Sequence, residues 1–304
     1  MVKLATAPSE RSGPDAHSTR GSILVEAGRV LSTDAFPGAQ HVIRLHAPRI
    51  AAQSQPGQFV HLRCAPDLLL RRPMSIMRVH AKQGWIDILF KAHGVGTRLL
   101  CERQTGDTIS LIGPIGKPFK LDDYRRRTLL IGGGVGMPPM IFLAEHLTKQ
   151  SMQPFVILGS EVPFPFTVKP SQILVAGIPG DVIGTMPLLE DWGIACRLAS
   201  LQAYAGCFDG YVTELARHWI EHQLKDRDDD IEIFACGPTA MLKAVAELAG
   251  EFSLDCQVSL EEFMACAVGG CAGCTVRIRT HESTAMKRVC VDGPVFEAAD
   301  VIFA

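Results

Sequence analysis

The sequence predicts a β-barrel plus α/β architecture: a six-stranded antiparallel barrel, then a doubly wound parallel sheet, then a short cysteine-rich C-terminal segment. Three observations carry this. Between about Ser22 and Pro114, the runs SILVEAGRVL, QHVIRLHA, GQFVHLRC, PMSIMRVH, WIDILFK and DTISLIG are separated by Gly, Pro and polar breaks. That spacing suits a small barrel. From Arg125 onward, apolar strand runs alternate with helical ones, the pattern of a parallel sheet covered on both faces. Finally, four of the ten cysteines fall in the last forty residues.

Within the barrel, one short helix is expected from near Thr97 through TRLLCER. In the α/β region, TLLIGGG is a continuous apolar strand ending in glycines, followed by a helix from Pro138 to Gln150. Strand FVILGS, helix LLEDWG, strand ACRLAS, helix YVTELARHWIEHQL, strand IEIFACG and helix PTAMLKAVAELAG complete the alternation. After Ser259 only two short strands are expected, CTVRIR and KRVCVD. The organisation is therefore a polar leader (1–21), a barrel domain (22–122), an α/β domain (123–258) and a cysteine segment (259–304). The acidic run Asp226–Asp230, broken by Arg227, reads as a solvated loop.

Composition excludes several classes. Lys+Arg 30 against Asp+Glu 32 gives a formal charge of −2, so no basic field points to nucleic acid. No apolar run reaches the length of a membrane span, and the leader lacks the apolar core of a signal peptide. A cytoplasmic protein is expected. The histidines are dispersed, and neither H-E-x-x-H nor G-x-S-x-G occurs, so no hydrolytic site is indicated. Cys64, Cys101, Cys196, Cys207, Cys236 and Cys256 sit among apolar neighbours and read mostly as small buried hydrophobes.

The remaining cysteines are spaced Cys266-x4-Cys271-x2-Cys274-x15-Cys290. Thiolates suit soft metal centres, and a C-x4-C-x2-C run with a distant fourth Cys is the plant-type [2Fe–2S] spacing. Gly269, Gly270 and Gly273 lie between the ligands, where the lack of a Cβ lets the loop wrap closely and aim N–H groups at sulfur. Structural zinc is the competing reading, but zinc ribbons present two C-x2-C knuckles and only Cys271 and Cys274 form one.

Two anion sites lie in the barrel. Arg71-Arg72-Pro73-Met74-Ser75 offers guanidinium and hydroxyl groups suited to a pyrophosphate. Leu89-Phe90-Lys91 leads into His93-Gly94-Val95-Gly96-Thr97-Arg98, glycines and a Thr at a helix start, where free N–H groups favour phosphate. His93 itself reads as a solvated loop histidine. In the α/β region, Gly132-Gly133-Gly134-Val135-Gly136-Met137-Pro138 joins the first strand to its helix, and Cys236-Gly237-Pro238 ends a later strand. Glycines permit close approach of backbone to a pyrophosphate, and ligands of open α/β sheets bind at that strand edge. Met137 stands where a strict G-x-G-x-x-G has its third glycine.

An RPxS barrel motif, a GGGxGxxP turn with a later CGP, and a C-terminal plant-type cluster together resemble the ferredoxin–NADP reductase superfamily. Within it, RRPMSI, GVGT, VSLEEFMACAVGGCAGCTV and CVDGPVFEA resemble the electron-transfer subunits of type B dihydroorotate dehydrogenase over about Ser22 to Ala304. The resemblance implies FAD contacts from Arg72, Pro73, Met74, Ser75, Leu89, Phe90, Lys91, Gly96 and Thr97, and cluster ligation by Cys266, Cys271, Cys274 and Cys290. A nicotinamide nucleotide, NAD or NADP, would lie against Gly133, Gly134, Gly136, Cys236, Gly237 and Pro238. It also implies an FMN-containing catalytic partner that oxidises dihydroorotate to orotate in pyrimidine biosynthesis, assembled as a heterotetramer. Departures fall on the nicotinamide side: SLQAYAGCFDGYVTEL replaces an Asp-Gly-Ser/Thr turn, and about Thr167 to Thr185 reads as an insertion. Two alternatives stay open. One is a related reductase subunit for a hydrogenase, sulfite reductase or ferredoxin-linked transhydrogenase. The other is a non-enzymatic assembly subunit with a structural metal.

Overall fold

The computed structural model describes residues 23–121, 127–225, 231–280 and 283–303. The leader, the expected boundary at 122–123 and the acidic run at 226–230 lie outside the described residues.

The barrel strands are β1 (Leu24–Phe36), β2 (Gln40–His46), β3 (Phe59–Leu62), β4 (Arg72–Ser75), β5 (Arg78–His80), β6 (Trp85–Lys91) and β7 (Thr108–Ile115), in the order β4-β3-β7-β1-β2-β6-β5. All pairings are antiparallel. Seven strands stand where six runs were expected because PMSIMRVH bends. Ile76 and Met77 are both buried, which breaks the period-two alternation a straight strand requires. The Ile76 N–H donates to Gln58 O and the Met77 N–H to Asp87 O, so the bend ties the two edges together. Ile43, Leu45, Val60, Leu62, Ile86, Ile88, Phe90 and Leu111 fill the interior. Two helices complete this region: α1 (Pro48–Gln53), which no sequence signal announced, and α2 (Val95–Cys101), which starts two residues before Thr97.

The second layer comprises β8 (Arg127–Gly133), α3 (Met137–Lys149), β9 (Phe155–Gly159), a small pair β10 (Lys169–Pro170) and β11 (Gly184–Thr185), α4 (Pro187–Asp191), β12 (Ala195–Ala199), α5 (Val212–Gln223), β13 (Ile231–Cys236), α6 (Thr239–Glu251) and β14 (Asp255–Ser259). The sheet order is β12-β9-β8-β13-β14, all parallel. The order reverses between β8 and β13, so the crevice of this doubly wound sheet opens there. The stretch 167–185 holds β10 and β11. It is fastened by Ser171 Oγ to Glu190 (2.8 Å), the Gln172 N–H to Glu190 (2.6 Å) and Arg197 to Ile173 O (2.7 Å).

The C-terminal segment holds the hairpin β15 (Thr275–Arg279) and β16 (Thr284–Arg288), then β17 (Val295–Glu297), which adds antiparallel to β14 as the sixth strand of the sheet. The sequence predicts a strand over KRVCVD. The strand ends at Arg288, and Cys290 lies in the turn that follows. Ala267, Cys274, Ile278, Val289 and Cys290 share one core with α5, α6 and the sheet. The opposite sheet face packs α3 together with the barrel residues Met77, Leu89 and Phe119. No helix among the described residues is long and apolar enough to cross a membrane.

Candidate functional site

Adjacent arginines in the barrel motif do different work. Arg71 is fastened inward: its guanidinium donates to Ser110 O (2.7 Å) and Ser110 Oγ (2.8 Å). Arg72 bonds only its own loop, through Leu70 O (2.9 Å) and Arg71 O (3.2 Å). Its guanidinium lies over Gly96, where a Cβ would meet Nε at 3.0 Å. The RPMS and GVGT motifs, more than twenty residues apart, therefore converge. Thr97 Oγ1 accepts the N–H groups of His93 (3.0 Å) and Gly94 (3.1 Å), which shapes the turn into α2. On β6, Leu89 faces the α/β domain, Phe90 is enclosed in the barrel core and Lys91 is exposed. The Phe90 ring thus has no open face toward a ligand, which leaves its backbone as the group at this position that a flavin can use. Pro73, Met74 and Ser75 are half-buried and pair with β3. His93 is exposed.

The two glycine turns meet at the crevice. Cys236 pairs with Gly132 in register, which sets Gly133, Gly134 and Gly136 beside Gly237 and Pro238. A Cβ on Gly136 would collide with the carbonyl group of Cys236, and one on Gly133 or Gly237 with the Met241 thioether. Gly134 differs. Its φ is +55°, and open space lies where its side chain would be. A bare backbone beside an open crevice is the surface a dinucleotide pyrophosphate needs. Cys236 is fully buried, and burial pushes its thiol well above the ordinary value, with Glu261 adding to the effect.

The cysteine loop is held by unusual backbone. Ala267 (φ 55°), Gly269 (φ 83°) and Ala272 (φ 52°) all occupy the left-handed region, costly for alanine and characteristic of loops that aim N–H groups at an anionic centre. The Cys271 N–H points at Cys266 Sγ and the Gly273 N–H at Cys271 Sγ, each at 3.4 Å. Cys274 Sγ and Cys290 Sγ are 3.4 Å apart. Arg288 braces the loop by donating to Gly269 O (3.1 Å) and bonding Asp292 (3.4 Å). Its neighbourhood to Cys290 was the available sequence signal, but that signal had no partner to point to. Among the described residues no group of three or more His, Cys, Asp or Glu is placed to hold a single metal ion. The thiols stand instead as the pairs Cys266/Cys271 and Cys274/Cys290, a donor set that fits two irons taking two thiolates each. Burial works against ionisation of Cys266, yet the N–H groups of Val268, Cys271 and Gly270 and the Cys271 thiol bring it down to about 7. Burial first, then the Cys274 thiol, pushes Cys290 up to about 12. A proton shared between Cys274 and Cys290 is what a metal would replace. Of the other cysteines, Cys64, Cys196, Cys236 and Cys256 are buried, while Cys101 and Cys207 are partly exposed.

An antiparallel barrel followed by a doubly wound sheet with glycine turns at its crevice is a ferredoxin–NADP reductase-like fold. The fold is shared with an NADH-dependent reduced ferredoxin–NADP oxidoreductase (TM-score 0.74, 24% identity, 91% of this chain and 90% of that one) and with the ferredoxin reductase of carbazole 1,9a-dioxygenase (TM-score 0.57, 19% identity, 75% and 66%). Residues 261–302 match the iron–sulfur cluster binding domain of dihydroorotate dehydrogenase B. The chain is 36% identical over 252 residues to the dihydroorotate dehydrogenase B (NAD(+)) electron transfer subunit of Bacillus caldolyticus, spanning 82% of this chain and 87% of the relative. To that of Desulforamulus reducens it is 32% identical over 265 residues, spanning 86% and 92%. The chain belongs to the family of dihydroorotate dehydrogenase B electron transfer subunits.

Proposed function

We propose that this chain passes electrons between a dihydroorotate-oxidising partner subunit and NAD⁺, through a [2Fe–2S] cluster held by Cys266, Cys271, Cys274 and Cys290 and an FAD held at the barrel. When bound, FAD exchanges a hydride with nicotinamide and single electrons with the cluster, which carries one at a time. Arg72 and the turn at Gly96 and Thr97 supply charge and N–H groups to the FAD pyrophosphate. Gly134 leaves room for the nicotinamide nucleotide, while Gly136 holds its turn against Cys236, beside Gly237 and Pro238. Burial of Cys274 and Cys290 against the exposed Cys271 gives the cluster an inner and an outer side.

The observation that carries this reading is the placement of the cysteine loop. It packs on the barrel and sheet with one side while Phe263 (94% exposed) and Val268 (43%) stand outward beside it. Exposed apolar residues around a redox centre are what a docking partner buries. We take that partner to be an FMN-containing subunit in a heterotetramer. We take the nucleotide to be NAD rather than NADP, since the relatives' names state NAD(+) for those proteins. Co-expression with a dihydroorotate-oxidising subunit tests it. A purified complex should reduce NAD⁺ with dihydroorotate. Copurification without that activity, in a preparation loaded with iron and FAD, would favour a reductase subunit serving another donor.

A further inference from the structure

Two buried glutamines tie the barrel to the α/β domain, one beside β9 and one on β14, the strands that flank the central pair β8 and β13. Gln257 on β14 accepts the Lys120 N–H (3.0 Å) and donates to Lys120 O (2.8 Å), which fastens the chain leaving the barrel to the sheet. On the β9 side stands Gln40, the first residue of β2, only 1% exposed. Its amide nitrogen donates twice, to Pro37 O in its own hairpin (3.0 Å) and to Pro163 O in the loop after β9 (2.7 Å). The hairpin tip docks on that same loop, where a Cβ on Gly38 would meet Val162 at 3.0 Å.

What lies at either end of the longer-range bond gives it a use. In the barrel, Gln40 pairs with Lys91, the end of the Leu89–Lys91 run, and Ala39 O takes the Ala92 N–H (2.7 Å). In the α/β domain, β9 ends at Gly159, level with Gly133 of the glycine turn, and Pro163 follows shortly after. One amide therefore joins the strand end assigned to the flavin to the crevice edge assigned to the nucleotide. Alongside it, Val42, Met77 and Leu89 share an apolar core with Met137, Ile141 and Phe166, and the Arg78 guanidinium lies 4.9 Å from the Trp192 ring centre. Such contacts hold two surfaces together with little direction, whereas a short N–H···O bond fixes a distance and an angle. A buried amide costs stability unless its donors are met. The hairpin meets one of the two, and the other domain meets the second.

Resting on the reading of the barrel as the FAD site and of the glycine turns as the nucleotide site, we propose that Gln40 is a positioning residue for hydride transfer. Its bond to Pro163 O sets the barrel against the α/β domain, and so the distance between nicotinamide and flavin. That transfer takes a hydride from NADH and a proton from solvent to reduce the flavin, leaving NAD⁺. Reacting atoms have to approach within about 3–3.5 Å, so a small displacement is felt in the rate. Gln40→Met keeps the length of the side chain and removes both donors. Gln40→Asn keeps the amide but shortens the arm, which draws the donor back from Pro163 O.

Stopped-flow reduction of the full chain with its cofactors by NADH tests this, beside hydrogen–deuterium exchange, which needs no turnover. For Gln40→Met, FAD and iron contents and the NADH concentration at half-maximal rate should match the parent protein. The limiting rate of flavin bleaching should fall by about ten- to a hundred-fold. The long-wavelength charge-transfer absorbance of NADH against oxidised flavin should weaken with it. Exchange should quicken in residues 36–40 and 160–166 and stay unchanged in the barrel core. A parental limiting rate in a fully loaded Gln40→Met protein overturns the proposal, and so does parental exchange, which would show the interface intact. A loss confined to the half-saturating NADH concentration, or a loss of FAD, also overturns it, because Gln40 would then serve binding rather than placement. If Gln40→Met does not fold, Gln40→Asn decides in the same way. A parent protein that binds no FAD, or whose flavin NADH does not bleach, would instead overturn the underlying reading, whatever the variants do.

Discussion

Gly136 packs against the carbonyl group of Cys236 so closely that no β-carbon fits between them. The contact joins the two glycine turns at the crevice of the sheet, and it separates two kinds of glycine. Gly136→Ala must push the turns apart, so both thermal stability and the KM for NADH should worsen. Gly134→Ala meets no neighbour but keeps a φ of +55°, a penalty of about 1 kcal/mol for a residue with a Cβ. Thermal unfolding should show the smaller loss for Gly134→Ala. Equal effects would place both glycines in the same role.

Burial divides the cysteines too. Cys271 is exposed, whereas Cys274 and Cys290 belong to the core shared with the sheet. Cys271→Ser should yield a folded protein that has lost cluster absorbance and iron. Cys290→Ser should lose the cluster and also lower the unfolding temperature, since a hydroxyl replaces a buried thiol. Iron assay beside circular dichroism separates the two.

For the arginine pair the expectation is a division between binding and folding. Arg72→Ala removes a guanidinium whose hydrogen bonds reach only Leu70 and Arg71, so FAD content should drop sharply while the apoprotein melts normally. Arg71→Ala strips the bonds to Ser110 and leaves its carbonyl and hydroxyl without that donor. It should cost about 1–3 kcal/mol in urea unfolding. A normal flavin content in Arg72→Ala would remove this residue from the site.

Acid should weaken the packing around buried His61. Burial, then repulsion from Arg71, lowers its pKa from 6.5 to about 4 in the folded chain, with a smaller push from Arg72. The unfolded chain therefore takes up the proton first, and this contribution is complete above pH 6.5 and lost as pH falls toward 4. The urea midpoint should decline over that window, and it should decline less steeply in His61→Phe. Parallel curves for the two proteins would show that His61 has no part in the acid response.

Much of this protein is determined by local pattern. The spacing of Cys266, Cys271, Cys274 and Cys290 is chemistry written along the chain, because a metal cluster demands particular donors within a short loop. The β-rich runs and the later strand–helix alternation likewise follow from residue-by-residue periodicity, and so does the outward turn of His61. Tertiary structure alone decided the rest. The bend at Ile76 and Met77 depends on bonds to Gln58 and Asp87, and the addition of Val295–Glu297 to the sheet depends on an open edge at Asp255–Ser259. The pairing of Gly136 with Cys236 follows from strand order, which no local signal records. The core that Phe59 joins is completed by Ala267, Cys274 and Cys290, some 200 residues later in the chain. Periodicity reports which face a residue takes, whereas the neighbour on that face is fixed only when distant elements compete for the same surface.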